Sequence, residues 1–165
     1  AKSAGIPILF DVDYRPYSWP SPEVAKNVLS KAASISNAIV GNDDEFGFMS
    51  GSKELGLQKA HDLAKESSRL VIYKMGEQGS ITITKNEEIH TGIYPVRALK
   101  PTGAGDSFMA GLVSSIASGF KLNEAVLRGS ACASITVSKP GCAPAMAEKL
   151  ELLEFLKTHP GPTKI

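Results

Sequence analysis

Little in this sequence points toward a membrane, a nucleic acid or an oxidising compartment. No apolar run approaches the length needed to cross a bilayer, and the opening Ala1-Lys2-Ser3-Ala4-Gly5 does not read as a signal peptide. Eighteen basic and seventeen acidic residues nearly cancel, leaving a formal net charge of +1 without a basic stripe. Nucleic acid is therefore not an implied partner. The two cysteines, Cys132 and Cys142, lack metal-ligand spacing and partners, so free, largely buried thiols in a reducing cytoplasm are expected. The three histidines, His61, His90 and His159, are isolated and read as surface residues. Internal repeats and low-complexity segments are missing as well.

What is present suits one soluble globular domain. The 165 residues are 42% apolar and 21% charged, enough to build a core. Ile6–Val12 is a short apolar run that predicts a buried strand. Pro20-Ser21-Pro22 then opens a helix, with Ser21 as cap, Pro22 at the first position and Glu23 favouring the N-terminus. Val24, Val28, Leu29 and Ala32 form its expected apolar face. Ala38–Gly41 predicts a second buried strand, and Asn42-Asp43-Asp44-Glu45 the start of a short helix. A further helix is expected over about Leu57 to Ser67. Leu70–Met75, Ser80–Thr84 and Ile89–Ile93 read as a three-stranded meander. Helices follow over about Ala104–Gly119, Asn123–Ser138 and Glu148–Lys157, ahead of a tail at Pro160-Gly161-Pro162 expected to fray. The alternation predicts an α/β fold with a mostly parallel sheet flanked by helices. Ligands in such sheets bind beyond the strands' carboxyl ends. Asp11, Asp13, Arg15, Asn42, Glu45 and Gly76 all fall at such ends or just past them.

One string carries the most chemistry: Thr102-Gly103-Ala104-Gly105-Asp106-Ser107-Phe108. Glycines on either side of Ala104 let backbone approach a ligand closely. The helix that follows aims unpaired N–H groups and the positive end of its dipole at an anion, expected to be a phosphate. A carboxylate beside a phosphate is unfavourable unless it has a task, and accepting a proton from an attacking hydroxyl is such a task. An acid in the first turn also complements the helix dipole without any catalytic role. Asn42-x-x-Glu45 reads either as a capping box or as part of a magnesium site. Lys74 reads either as a phosphate partner or as part of a glycine-rich hairpin turn with Gly76 and Gly79. Arg15 has the planar fork that binds carboxylate or phosphate, while Asp11 suits a structural ion pair.

These motifs together resemble the ribokinase-like carbohydrate kinases of the PfkB family. The Asp11-Val12-Asp13-Tyr14-Arg15-Pro16 segment with Trp19 is similar to the sugar-acid branch, and the resemblance implies 5-dehydro-2-deoxygluconate as substrate, with 2-keto-3-deoxygluconate or fructose as alternatives. The resemblance implies ATP and Mg²⁺ as cofactors. It implies Asp106 as base, with Gly103, Ala104 and Gly105 forming the anion hole. Lys74, Gly76, Gly79, Thr102, Ser138 and Gly141 would face the nucleotide, Asp13 and Arg15 the sugar, and Asn42 and Glu45 the metal. Lys100 stands where the family commonly has an Asp that helps hold a monovalent cation. Its ammonium is expected to replace that ion, the other reading being a solvated loop lysine. The resemblance covers nearly all of this chain but only about the C-terminal half of such a kinase, without the N-terminal half and its β-lid. Residues 1–165 are thus expected to be the nucleotide-binding and catalytic part of one domain, a fragment weak or inactive alone. Association with the missing half or a homodimer is expected, and a non-catalytic nucleotide-binding module is the alternative from another class.

Overall fold

The computed structural model describes residues 1–66 and 70–164. Five strands form one mixed sheet in the order β1-β2-β3-β4-β5. They are β1 (Leu9–Asp11), β2 (Ala38–Asn42), β3 (Leu70–Lys74), β4 (Ser80–Ile83) and β5 (Glu88–Thr91). β1–β2 and β2–β3 pair parallel and β3–β4 antiparallel, as the element pattern predicts. Among the described residues six α-helices complete the fold: α1 (Pro22–Ile35), α2 (Asp43–Ser50), α3 (Gly56–Lys65), α4 (Ala104–Ala117), α5 (Leu122–Val137) and α6 (Lys149–Thr158). Among the described residues no helix is long and apolar enough to cross a membrane. The chain divides into two compact units, one of Ala1–Gly76 with Ser80–His90, the other of Glu77–Gly79 with Thr91 onward.

The first unit packs α1, α2 and α3 with the sheet around Leu29, Ile39, Phe46, Leu63, Val71 and Ile81. β1 is shorter than the apolar run suggested. Pro7 has no N–H to give a ladder, and Ile8 donates instead to the Asn37 side chain at 2.9 Å. α1 begins where expected, with the Ser21 side chain accepting from Val24 N–H and Pro22 in the first turn. Its buried face, however, is Ala25, Leu29 and Ala33, while Val24 and Val28 are exposed. The two inward alanines let the helix lie close to the core, and the bulkier valines turn to solvent. α3 ends at Lys65, and the expected end at Ser67 lies outside the described residues.

The second unit is built on the pairing of α4 with α5, and α6 closes a cluster of Tyr94, Cys132, Ile135, Leu152 and Phe155. α4 and α5 meet at glycines. A Cβ added to Gly111 would lie 2.9 Å from the Gly129 Cα, and one on Gly129 would lie 2.8 Å from the Phe108 carbonyl oxygen. Such spacing lets two backbones touch, which side chains would prevent. The tail does not hang free as expected. Thr163 N–H donates to the Ile93 carbonyl at 2.8 Å, and Ile93 N–H donates to Thr163 Oγ1 at 3.1 Å. Nor are all three histidines simple surface residues. His90 is exposed, but His159 stacks on Phe155 at 3.7 Å and half-buried His61 lies 3.5 Å from Glu88. Each side chain has an aromatic or acidic neighbour that its sequence surroundings do not reveal. Both thiols are free, with Cys132 buried and Cys142 half-buried. Burial pushes the Cys132 thiol up to about 11.

Candidate functional site

In the first unit the carboxyl ends of the three leading strands gather charged groups. Asp11 ends β1, Asn42 ends β2 and Lys74 ends β3, with Asn42 and Lys74 in register. The Lys74 ammonium lies 4.0 Å from the Asp11 carboxylate. Lys74 is thus one structural ion partner of Asp11. Arg15 pairs with Asp13 at 2.5 Å and donates to the Tyr14 carbonyl at 3.3 Å, with both charged side chains more than half exposed. Asp13 takes a left-handed backbone (φ 38°), a conformation uncommon outside glycine. Gly76 does the same (φ 59°) with open space where a side chain would stand, so backbone conformation alone accounts for this glycine.

Asn42 and Glu45 form a complete capping box. Asn42 Oδ1 accepts from Glu45 N–H at 2.9 Å, and Glu45 Oε2 accepts from Asn42 N–H at 2.7 Å. Glu45 does more than cap. Its Oε1 accepts from Tyr14 N–H at 3.1 Å, tying the start of α2 to the loop that carries Asp13 and Arg15. The Tyr14 ring stacks on Phe48 at 3.8 Å and reinforces the same tie. Glu45 is buried, and desolvation raises its pKa above 4.5 against the opposing pull of the Asn42 N–H, the Lys74 charge and the Tyr14 N–H. Its proton-bound form is therefore the one that folding favours. That contribution is full below 4.5 and is lost as pH rises through the folded-state value. The stability of the wild type relative to Glu45→Gln should accordingly fall as pH is raised over this range. Urea midpoints read from Trp19 fluorescence check it, because Trp19 packs on the first unit's core. A difference that grows with pH would show that the accepted N–H bonds outweigh burial.

In the second unit the Gly-Ala-Gly-Asp segment starts α4. Gly103 caps the helix in left-handed backbone (φ 85°), a turn costly for residues with a Cβ. Ala104 N–H donates to the Pro101 carbonyl at 3.2 Å, and Ser107 N–H donates to the Gly103 carbonyl at 3.0 Å. Between them the N–H groups of Gly105 and Asp106 have no acceptor among the described residues. The Asp106 carboxylate is exposed and makes no hydrogen bond or ion pair among those residues. A pair of uncommitted N–H donors at a helix start, beside an uncommitted carboxylate, can hold an anion and accept a proton within one turn.

The neighbouring groups are specific. Lys100 Nζ donates to the Thr102 carbonyl at 2.8 Å, so the ammonium is tethered to this segment instead of ranging through solvent. Ser138 follows α5, where its hydroxyl donates to the Ile135 carbonyl at 2.8 Å. It lines a cleft of about 450 Å³ with Val96, Arg97, Leu99 and Lys139. Gly79 and Gly141 are both in left-handed backbone. Three residues that sequence reasoning left without a role stand under the loop: Ser107, Thr136 and Cys142. An ideal Cβ on Gly103 would lie 2.8 Å from Cys142 Sγ and 3.5 Å from the Thr136 methyl. Only the small-residue character of the two helices hinted at this closeness.

A family model described as pfkB family carbohydrate kinase matches residues 1–149. A 5-dehydro-2-deoxygluconokinase of Photobacterium profundum is 36% identical over 164 residues, covering 96% of this chain and 50% of that protein. Among solved structures, an aminoimidazole riboside kinase from Salmonella enterica, complexed with aminoimidazole riboside and an ATP analog, superposes with a TM-score of 0.85 at 25% identity, over 95% of this chain and 54% of that one. A putative ribokinase II from E. coli in complex with ATP and Mg²⁺ superposes with a TM-score of 0.83 at 26% identity, over 96% and 51%. The chain spans about half the length of the curated relatives it matches, 49% and 50% in two of them. The family model spans most of the chain, and its backbone follows these enzymes along nearly all of its length: the chain belongs to the pfkB family of carbohydrate kinases.

Proposed function

We propose that this chain is the nucleotide-binding and catalytic part of an ATP-dependent kinase for a sugar-acid hydroxyl, with 5-dehydro-2-deoxygluconate as substrate. The observation that carries the reading is the α4 start, where the Gly105 and Asp106 N–H groups and the Asp106 carboxylate are all uncommitted among the described residues. In the reaction Asp106 accepts the proton of the substrate hydroxyl as its oxygen bonds to the γ-phosphorus and the bond to the β-phosphate oxygen breaks, releasing ADP. The N–H groups around Gly103, Ala104 and Gly105 stabilise charge on the transferring phosphoryl oxygens. Lys74, Gly76, Gly79, Thr102, Ser138 and Gly141 face the nucleotide, and Asp13 and Arg15 face the sugar acid.

Mg²⁺, when bound, neutralises phosphate charge. Among the described residues no cluster of three acidic, His or Cys side chains could enclose it. Asn42 and Glu45 suit a role through metal-bound water. Each Glu45 oxygen already accepts one N–H and retains a lone pair, and Mg²⁺ keeps several of its waters. The Lys100 ammonium supplies the positive charge beside the anion site in place of a monovalent cation, a role its bond to the Thr102 carbonyl supports.

A coupled assay on the full-length protein, with 5-dehydro-2-deoxygluconate, 2-keto-3-deoxygluconate and fructose, tests the substrate. The first should give the highest kcat/KM, and a preference for either of the others overturns that choice. The 165-residue chain should bind Mg·ATP calorimetrically with little or no turnover, because it spans about half the length of its relatives and Asp13 and Arg15 are only part of the sugar side. Robust phosphorylation by this chain alone would overturn that division of labour. Heat of nucleotide binding without turnover in either form would favour a binding module. Full-length turnover should be insensitive to added KCl, and a steep rise removes Lys100 from its assigned role.

A further inference from the structure

α4 and α5 enclose a chain of hydrogen bonds near the start of α4, apart from the Arg128–Ser115 bond that joins the two helices farther along. Thr136 Oγ1 donates to Ser107 Oγ at 2.7 Å, and Ser107 Oγ donates to the Cys132 carbonyl at 3.0 Å. Both side chains are essentially sealed from solvent, at 0% and 1% exposure. A helical Ser or Thr commonly satisfies its hydroxyl on its own helix, one turn back. Thr158 does so here, donating to the Glu154 carbonyl at 2.9 Å, as does Ser118 at the end of α4, donating to the Ser114 carbonyl at 2.7 Å. Ser107 and Thr136 bond across the helix pair instead.

Stability does not demand this arrangement. Replacing both partners of a buried hydrogen bond with apolar groups of the same shape is often nearly neutral. What apolar contact would not supply is direction. Ser107 follows Asp106, and its N–H donates to the carbonyl of Gly103, closing the turn whose N–H groups stay open. Cys142 Sγ stands where a Gly103 side chain would have to go, with the Thr136 methyl beside that position, so only a glycine fits at this cap. One α5 residue thus bonds the first turn of α4 by its hydroxyl at Ser107, while its methyl lies 3.5 Å from where a Gly103 Cβ would stand.

We infer that Thr136, acting through Ser107, is a positioning residue that sets the direction of the Asp106 carboxylate and of the Gly105 and Asp106 N–H groups. The consequence for catalysis rests on the reading of Asp106 as base; the consequence for the geometry of the turn does not. Thr136→Val removes the donor at nearly constant shape and leaves the Ser107 bond to Cys132 intact. In the full-length kinase it should lower kcat roughly 10–100-fold, the scale of a small misplacement of reacting groups, with KM for ATP little changed. Thr136→Ser restores the hydroxyl and should recover most of the loss. In an Asp106→Asn background the further loss from Thr136→Val should be smaller, because only the share carried by the N–H groups is left to lose. Undiminished kcat in Thr136→Val, or equal impairment in Thr136→Ser, overturns the proposal.

Amide NMR of the ligand-free 165-residue chain separates this from a failure of the kinase reading. The Gly105 and Asp106 resonances should shift in Thr136→Val and return toward wild type in Thr136→Ser. Should they shift and return while Asp106→Asn retains full turnover, the base assignment fails and the positioning role stands. Should they stay unmoved in Thr136→Val, the positioning role fails whatever the enzyme does.

Discussion

In the proposed reaction, Asp106→Asn will lower kcat of the full-length protein by about 10²–10⁴-fold, the usual contribution of a placed general base, while leaving nucleotide affinity unchanged or tighter. The competing account makes Asp106 a dipole-complementing residue of the α4 start, worth about 0.3–1 kcal/mol of stability and nothing in turnover. The two accounts differ by orders of magnitude, so one steady-state measurement decides. The sign of the affinity change is informative too. A carboxylate at an anion site repels phosphate, and the neutral amide removes that repulsion. Single-turnover kinetics should place the loss in the chemical step. Turnover within about threefold of wild type would return Asp106 to the structural account, because a base worth so little lies outside the range for such groups.

The loop itself was legible in the sequence because its constraints are local. Gly103 has to take a left-handed turn, the following run has to be helical, and Asp106 falls in the first turn by counting. Ser21 and Pro22 announced α1 for the same reason. The α1 face was misread where local pattern and packing disagree. Val24 and Val28 look like the buried stripe, yet the residues that α1 buries are Leu29 and the small Ala25 and Ala33. Asn42 and Glu45 could be paired as a capping box by spacing alone. That Glu45 also holds the Tyr14 N–H, 31 residues away, follows only from the strand order. Asp13 carries no sequence mark of its positive φ, and Ser107 and Thr136 lie 29 residues apart with no local signal of their bond. What escaped sequence reading is what two distant segments settle between them.

The second large effect concerns that kind of settlement. Gly129→Val will destabilise the second unit by roughly 3 kcal/mol, the upper part of the range for overpacking a close contact. The first atom added is already forbidden. A Cβ at Gly129 would stand 2.8 Å from the Phe108 carbonyl oxygen and 3.2 Å from two carbons of the Phe108 ring. The ring can swing aside, but the carbonyl belongs to the α4 backbone and moves only if the helix does. Valine adds two γ-methyl groups, so α4 must slide off α5, and the facing glycine suffers with it. Gly111 has room for no side chain either, with Cys132 Sγ 2.8 Å from its Cβ position. Helix propensity pulls the other way by less than about 1 kcal/mol, too little to reverse the sign. Ala110→Val, on the exposed side of α4, is the control and should stay within about 0.5 kcal/mol. Urea melts followed by far-ultraviolet circular dichroism read both variants. Because Phe108 lies two residues beyond Asp106, the slide should also reach the turn that carries Asp106. A Gly129→Val protein that keeps wild-type stability would mean that α4 and α5 can part without cost, contrary to the glycine contact seen between them.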